Sequence, residues 1–399
     1  MTTTTRRALI KGAAATTAIA ALPIRASAQG EPLKFGVLTP LTGAGGQDGP
    51  RMLKAMQAVI DEVNQGGGVL QRKIETIIED DQTNPEAAVR AARKLIEVNK
   101  VPVIMGTWAS AVTSAVAPVC WESKTFLCTV SGADSITQLP HQGYIIRTQP
   151  TSKLQATAHA EFIAAMGKKK VAVIGIQAPF ALSTKEHLDS VLKSKGASVV
   201  AHIIYEKDKA TYRSEIDQAL RADPDFLYLN GYAPDTVVVL RDLYKANINL
   251  PKFCQSYAVP QKTLDTLPAE VSAGTYTGQP SADIEGRAFR LSAARLGIAE
   301  PDSYEAQATD WASLVILTVA KAQAATGVAL KDTVRKISQG SGEKVYSAVE
   351  GLKLLAEGKD INYEGASGPC DFTDIGDIQG CRFRYMEVVD GKLKFLKVV

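Results

Sequence analysis

The chain has 399 residues, with 45 Lys and Arg against 42 Asp and Glu, for a formal net charge of +3. Residues 1–28 carry Arg6, Arg7, Lys11 and Arg25 and no acid, so the rest holds 41 basic and 42 acidic residues, a net charge of −1. That near-neutral body removes any electrostatic case for nucleic acid or an anionic membrane as partner. Its length, about 370 residues, suits one large domain or, more often, two.

In chain order, Thr5-Arg-Arg-Ala-Leu-Ile-Lys11 precedes an alanine-rich apolar run, Gly12 to Leu22, and Ala26-Ser27-Ala28 gives the small-x-small pattern of a signal peptidase site. Residues 1–28 are therefore expected to be an export signal cleaved near Ala28, directing the protein to the periplasm. The Arg6-Arg7 pair looks like a twin-arginine signal; a general secretory leader or a retained anchor is the alternative. The apolar run is too short to span a bilayer comfortably, and no later run is longer and free of charge, so the mature chain is not expected to insert in a membrane.

Lys34 to Leu38 predicts a strand that runs into the turn-rich Pro40–Gly49. Apolar residues at Met52, Ala55, Met56, Val59 and Val63 then mark a helix stopped by Gly66-Gly67-Gly68. Lys73–Ile78 is a strand ending in Glu79-Asp80-Asp81, Pro85–Asn99 a helix, and Val101–Met105 a strand ending at Gly106. Helix Ala109–Glu122, strand Phe126–Val130 with the loop Ser131-Gly132-Ala133-Asp134, and strand Tyr144–Arg147 continue the alternation. Thr148–Ser152 is a crossover. The second series follows: helix 154–166, strand 170–174, helix 183–195, strand 198–205, helix 212–222, strand 226–230, helix 234–246 and strand 252–256. Gly278–Ala282 is a second crossover, helices fill 285–357, and a β-rich tail closes the chain. This order predicts an α/β fold of two Rossmann-like lobes with parallel sheets joined by a hinge. Lobe 1 is expected to take residues 32–149 and 281–365, and lobe 2 residues 150–280 and 366–399, with a ligand cleft between them.

The five cysteines, at 120, 128, 254, 370 and 381, lack metal-ligand spacing and have no nearby histidine, so no metal site is expected. In an oxidising compartment two pairings compete. Cys370–Cys381 would flank the turn Asp374–Asp377, and Cys120–Cys128 is the other; Cys254 is the candidate free thiol. The four histidines, His141, His159, His187 and His202, form no motif and read as surface residues. Asp80 and Asp81 read as a solvated strand end or a helix cap. No phosphate-binding loop, dinucleotide glycine pattern or serine-hydrolase elbow occurs, and no nucleophile is paired with a base. Neither catalysis nor a cofactor is expected.

Several segments, in order, resemble the periplasmic solute-binding proteins of branched-chain amino acid ABC transporters, the leucine/isoleucine/valine-binding type. They are Phe35–Gly43, Ile60–Val69, Asp80-Asp81 with Asn84-Pro85, Gly106–Ser110, Tyr144–Thr148 and Gly368–Asp377. The resemblance implies a type I periplasmic binding protein fold, a small ligand held by lobe closure, and docking on the membrane permease of an ABC importer. It places Ser110 and the loop Ser131-Gly132-Ala133 on the ligand carboxylate, with Gln47 and Asp134 nearby. Hydroxyl and backbone N–H groups at a helix start suit an anion, although Ser110 can also be a plain N-cap.

Where relatives place an acid for a ligand ammonium, this chain has Tyr257, and no Asp or Glu occurs from Leu250 to Leu264. A buried ammonium would lack its partner, at a cost of several kcal/mol. Trp108, Phe180, Tyr232 and Tyr257 fall on loops at strand carboxyl ends, where aromatics suit a flat ligand. The expected ligand is a small organic carboxylate, aromatic and without an α-amine. A binder of branched-chain or other amino acids, amides or urea, or a ligand-sensing receptor module, is the alternative.

Overall fold

A computed structural model describes residues 30–282 and 284–399; the expected export signal, residues 1–28, lies outside them. The strands sort into two large sheets. The first runs in the order β2-β1-β3-β4-β5, from β1 (Leu33–Thr39), β2 (Ile74–Asp80), β3 (Val103–Gly106), β4 (Phe126–Thr129) and β5 (Ile145–Arg147), all parallel. The second takes β6 (Lys170–Ile176), β7 (Ser198–Tyr205), β8 (Phe226–Asn230), β9 (Lys252–Gln255) and β10 (Thr275–Ser281) as a parallel set ordered β10-β9-β8-β6-β7. A short parallel pair, β11 (Glu343–Val345) with β12 (Ile361–Tyr363), belongs to the first lobe. The tail strands β13 (Arg382–Val389) and β14 (Lys392–Val398) add antiparallel to β10.

The helices form because their apolar residues recur at three- and four-residue steps. Helix Gly49–Gln65 buries Met52, Ala55, Met56, Val59, Ile60 and Val63, and packs against helix Ser303–Ala322. That long helix starts in a capping box, the Asp302 side chain accepting from Glu305 N–H and Glu305 from Asp302 N–H. Nearly all of it is buried, against β3 and three neighbouring helices. Among the described residues no single helix is long and apolar enough to cross a membrane.

The sheet order reverses at β1/β3 in the first lobe and at β6/β8 in the second. In open α/β sheets such a reversal leaves a crevice at the carboxyl ends of the strands.

Several details depart from the sequence reading. The second crossover starts later than Gly278: Gly278 to Ser281 finish β10, with Pro280 beyond the last pairing to β9, so its missing N–H breaks no bond on that side, and Ala282 already packs against Ala288 and Ala306. The last crossing between lobes falls at Cys381–Arg382 rather than at 366. Cys370, Phe372 and Ile378 pack in the first lobe's core, and Asp377 bridges to Arg147. Buried Asp310 ties this segment down, accepting from Tyr363 Oη (2.8 Å), Ala366 N (2.7 Å) and Ser367 N (2.9 Å).

All five cysteines are free; the Cys381 thiol donates to Arg382 O at 2.9 Å. His159 is not on the surface. It is fully buried, its ring tilted at 45° and 4.5 Å from that of Phe253 and bonded to Tyr228 Oη at 3.0 Å, and burial pushes its pKa down to about 3. His141 is buried as well.

Candidate functional site

Gly106 ends β3 at φ +134°, and a Cβ there would lie 2.1 Å from Leu38 O. Only glycine fits, and the chain turns sharply to deliver Trp108 and the start of helix Ser110–Glu122 to the cleft. The N-cap of that helix is Ala109, with no side-chain capping bond, so the plain-cap reading of Ser110 fails. The Ser110 Oγ instead accepts from Ala133 N at 3.2 Å, across to the loop after β4.

Behind this contact Thr107, Thr113, Thr129 and Ser131 form a buried hydroxyl ladder. Thr107 Oγ1 donates to Thr129 Oγ1 (2.9 Å), Thr113 Oγ1 meets Ser131 Oγ, and Ser131 Oγ donates to Trp108 O (3.0 Å). Each member is satisfied within the ladder, which stiffens both loops.

A narrow cavity of about 30 Å³, opening to solvent, lies between the lobes, lined by Trp108, Ala109, Ser110, Val130, Gly132, Gln149, Phe180, Tyr232, Tyr257 and Tyr304. No lining residue carries a formal charge. Trp108 sits at the centre of an aromatic cage, with ring centroids 5.2 Å from Tyr232, 5.4 Å from Tyr257 and 6.2 Å from Tyr304, the last two edge-on. Among the described residues its buried indole N–H finds no acceptor of hydrogen-bonding geometry, a donor that a ligand oxygen would satisfy. Burial pushes the Tyr232 phenol up to about 12, and those of Tyr257 and Tyr304 well above the usual value. All three remain neutral donors at physiological pH.

The structure brings six of the ten expected residues to the cavity: Trp108, Ser110, Gly132, Phe180, Tyr232 and Tyr257. Phe180 comes from the first turn of helix Pro179–Ser194 rather than from a loop. Four stand off. Ser131 belongs to the ladder, and Ala133 supplies the N–H held by Ser110. Gln47 donates from Nε2 to Thr263 Oγ1 (3.3 Å), a contact between the lobes away from the cavity.

Asp134 also bridges the lobes: its Oδ2 accepts from Ser183 Oγ (2.8 Å) and lies 2.6 Å from His187 Nε2. The Asp134 carboxylate, expected near the ligand, is therefore spent on contacts between the lobes. Gly132 has a steric reason. A Cβ there would lie 2.7 Å from Phe180 Cε2 of the opposite lobe, so any side chain obstructs closing.

Gln149 and Tyr304 were not expected. Gln149 sits in the crossover, held by Gln307 Nε2 at 2.9 Å. Tyr304 is the second residue of the long helix, whose capping box was readable in Asp302 and Glu305. Its approach to the cleft depends on how that helix packs. Asp81 also departs from expectation. It is fully buried, its Oδ2 has no partner among the described residues, and burial raises its pKa to about 7, with Asp80 adding to the rise and the Thr83 N–H opposing it.

Residues 32–374 match the family model described as "Periplasmic binding protein", and the chain belongs to that family. It is 22% identical to the leucine-, isoleucine-, valine-, threonine- and alanine-binding protein of Pseudomonas aeruginosa, over 89% of each chain. The leucine-binding protein LivK of Thermotoga maritima has the same fold, with a TM-score of 0.77 at 19% identity, covering 92% of this chain and 98% of that one. So does an R. palustris solute-binding protein of an ABC transporter in complex with benzoate, with a TM-score of 0.74 at 18% identity, covering 92% and 96%. The fold is that of a type I periplasmic binding protein.

Proposed function

We propose that this chain is the exported solute-binding component of an ABC importer, and that it captures a small aromatic carboxylate lacking an α-amine. The observation that carries this reading is a cavity with hydroxyl, amide and aromatic lining and no charged side chain. A carboxylate is served by the Ser110 hydroxyl and the Gly132 backbone N–H, because partial charges fixed in place solvate an anion without a counter-ion. An ammonium loses its water on closure and meets only phenol and amide oxygens, which costs several kcal/mol. The Trp108, Tyr232 and Tyr257 rings favour a planar body, and the solved neighbour holding benzoate is consistent with it. The bound ligand would pass to a membrane permease, and residues 1–28 would direct the chain to the periplasm.

A thermal-shift screen of the purified protein across aromatic acids, aliphatic acids, amino acids and amides tests the reading. A ligand at a hundred times its Kd adds about 2.7 kcal/mol to stability. Aromatic acids are expected to give the largest shifts. Shifts confined to amino acids would overturn the ligand class and return the chain to the function printed for its Pseudomonas relative.

A further inference from the structure

The loop that presents the Gly132 N–H to the cavity is held from behind by one side chain. Arg147, at the end of β5, is fully buried. Its Nη1 donates to Ser131 O (3.2 Å) and Ala133 O (2.7 Å), its Nη2 to Thr137 Oγ1 (2.9 Å), and its Nε and Nη2 to Asp377 Oδ1 (2.8 and 2.6 Å). Thr137 Oγ1 in turn donates to Asp377 Oδ2 (3.2 Å), and Arg147 N donates to Gly376 O (2.8 Å).

In a trans peptide C=O and N–H point in opposite directions, and no cis peptide occurs among the described residues. With the Ser131 carbonyl turned to Arg147, the Gly132 N–H points away from it, and that N–H has no acceptor among the described residues. The next carbonyl, Gly132 O, is taken by Ser152 N (2.7 Å) and Ser152 Oγ (3.0 Å). The Ala133 N–H is thereby aimed the other way, onto Ser110 Oγ. Successive carbonyls are thus pinned in place, and of the loop's N–H groups that of Gly132 is left for the cleft, Ser131 N–H being held by Thr129 Oγ1 and Ala133 N–H by Ser110 Oγ.

The charge of Arg147 is matched by the two-point contact with Asp377, so its effect on a bound anion is geometric rather than that of a free counter-ion. Resting on the reading that an anion binds at this loop, we infer that Arg147 is a positioning residue for the ligand carboxylate, with Asp377 of the C-terminal segment holding it in register.

The test uses Arg147→Lys and, because a buried arginine variant can fail to fold, Asp377→Asn, which keeps shape and removes charge. Hydrogen exchange of the ligand-free proteins is compared over residues 131–134 and over the second lobe, alongside calorimetry with benzoate and with benzamide. The expected result is faster exchange confined to the first lobe's cleft loops, with benzoate binding weakened about tenfold or more and benzamide nearly unchanged. A general structural defect would weaken both probes alike; that result, or unchanged exchange at 131–134, overturns the inference. A wild-type protein that binds neither probe counts against the proposed ligand class, whereas the exchange comparison needs no ligand and still decides the role of Arg147.

Discussion

The two lobes bring different chemistry to one cavity. The first supplies Ser110, Gly132 and Gln149, backed by a hydroxyl ladder and a buried arginine, so its face is a rigid set of polar groups. The second supplies Phe180, Tyr232 and Tyr257, an aromatic wall set on the first residues after β6, β8 and β9. Trp108 and Tyr304 carry the aromatic surface across to the first lobe. On the proposed reading, the two ends of a ligand would meet different lobes, and closure would complete the site. The difference also separates mutations that alter which ligands bind from those that alter how tightly the acid is held.

The most direct way to break this division is to place charge on the aromatic wall. Tyr257→Glu puts a carboxylate where amino-acid binders carry one. It is expected to reduce benzoate affinity by at least about a hundredfold, since an unpaired buried charge costs several kcal/mol. The same variant should gain affinity for leucine or phenylalanine, measured by calorimetry. Retained benzoate binding would mean that position 257 does not face the ligand.

On the polar side, Ser110→Ala removes a hydroxyl without charge. Binding of an aromatic acid should weaken by about 1.5–3 kcal/mol, the range for a hydrogen bond to a charged group, while the melting temperature of the empty protein changes little. Unchanged affinity would leave Ser110 only as the partner of Ala133 N–H.

The smallest effect concerns Asp81, whose charge also acts across the lobes, raising the Tyr232 phenol behind the larger influence of burial. With its pKa raised from 3.8 to about 7, its neutral form is favoured in the folded state. The stability it contributes is present below the unfolded value near 4 and is lost as pH rises toward 7. Asp81→Asn should therefore be more stable than wild type above pH 7 and no more stable at pH 4, read from denaturant melts at both pH values. A gain of equal size at both would assign the effect to packing.

The sheets were legible because strand and helix carry different apolar periods. Of the six cavity residues, Ser110 and Gly132 came from the resemblance to a known family, and Trp108, Phe180, Tyr232 and Tyr257 from their places at strand carboxyl ends, where open α/β sheets leave a crevice. Pro179 was a readable first-turn signal for the helix that carries Phe180, yet the start was read at 183. The Gly-Gln-Pro run at 278–280 looks like a loop, and only its antiparallel pairing with β13, from the far end of the chain, makes it a strand. Tyr304, Gln149 and the Arg147–Asp377 pair depend on contacts between residues more than 150 positions apart, Gln149 with Gln307 and Arg147 with Asp377. No local pattern encodes those distances. His159 and Asp81 were read as solvated because polar side chains usually are; tertiary packing buried both.

The central claim, that the cleft is built for an acid without an amine, is tested most directly by calorimetry on the full chain with the matched pair phenylpropionate and phenylalanine, with leucine added. Their rings and carboxylates are alike, and only the ammonium differs. The account predicts tighter binding of phenylpropionate. Tighter binding of phenylalanine, or of leucine over every aromatic acid tried, would contradict it.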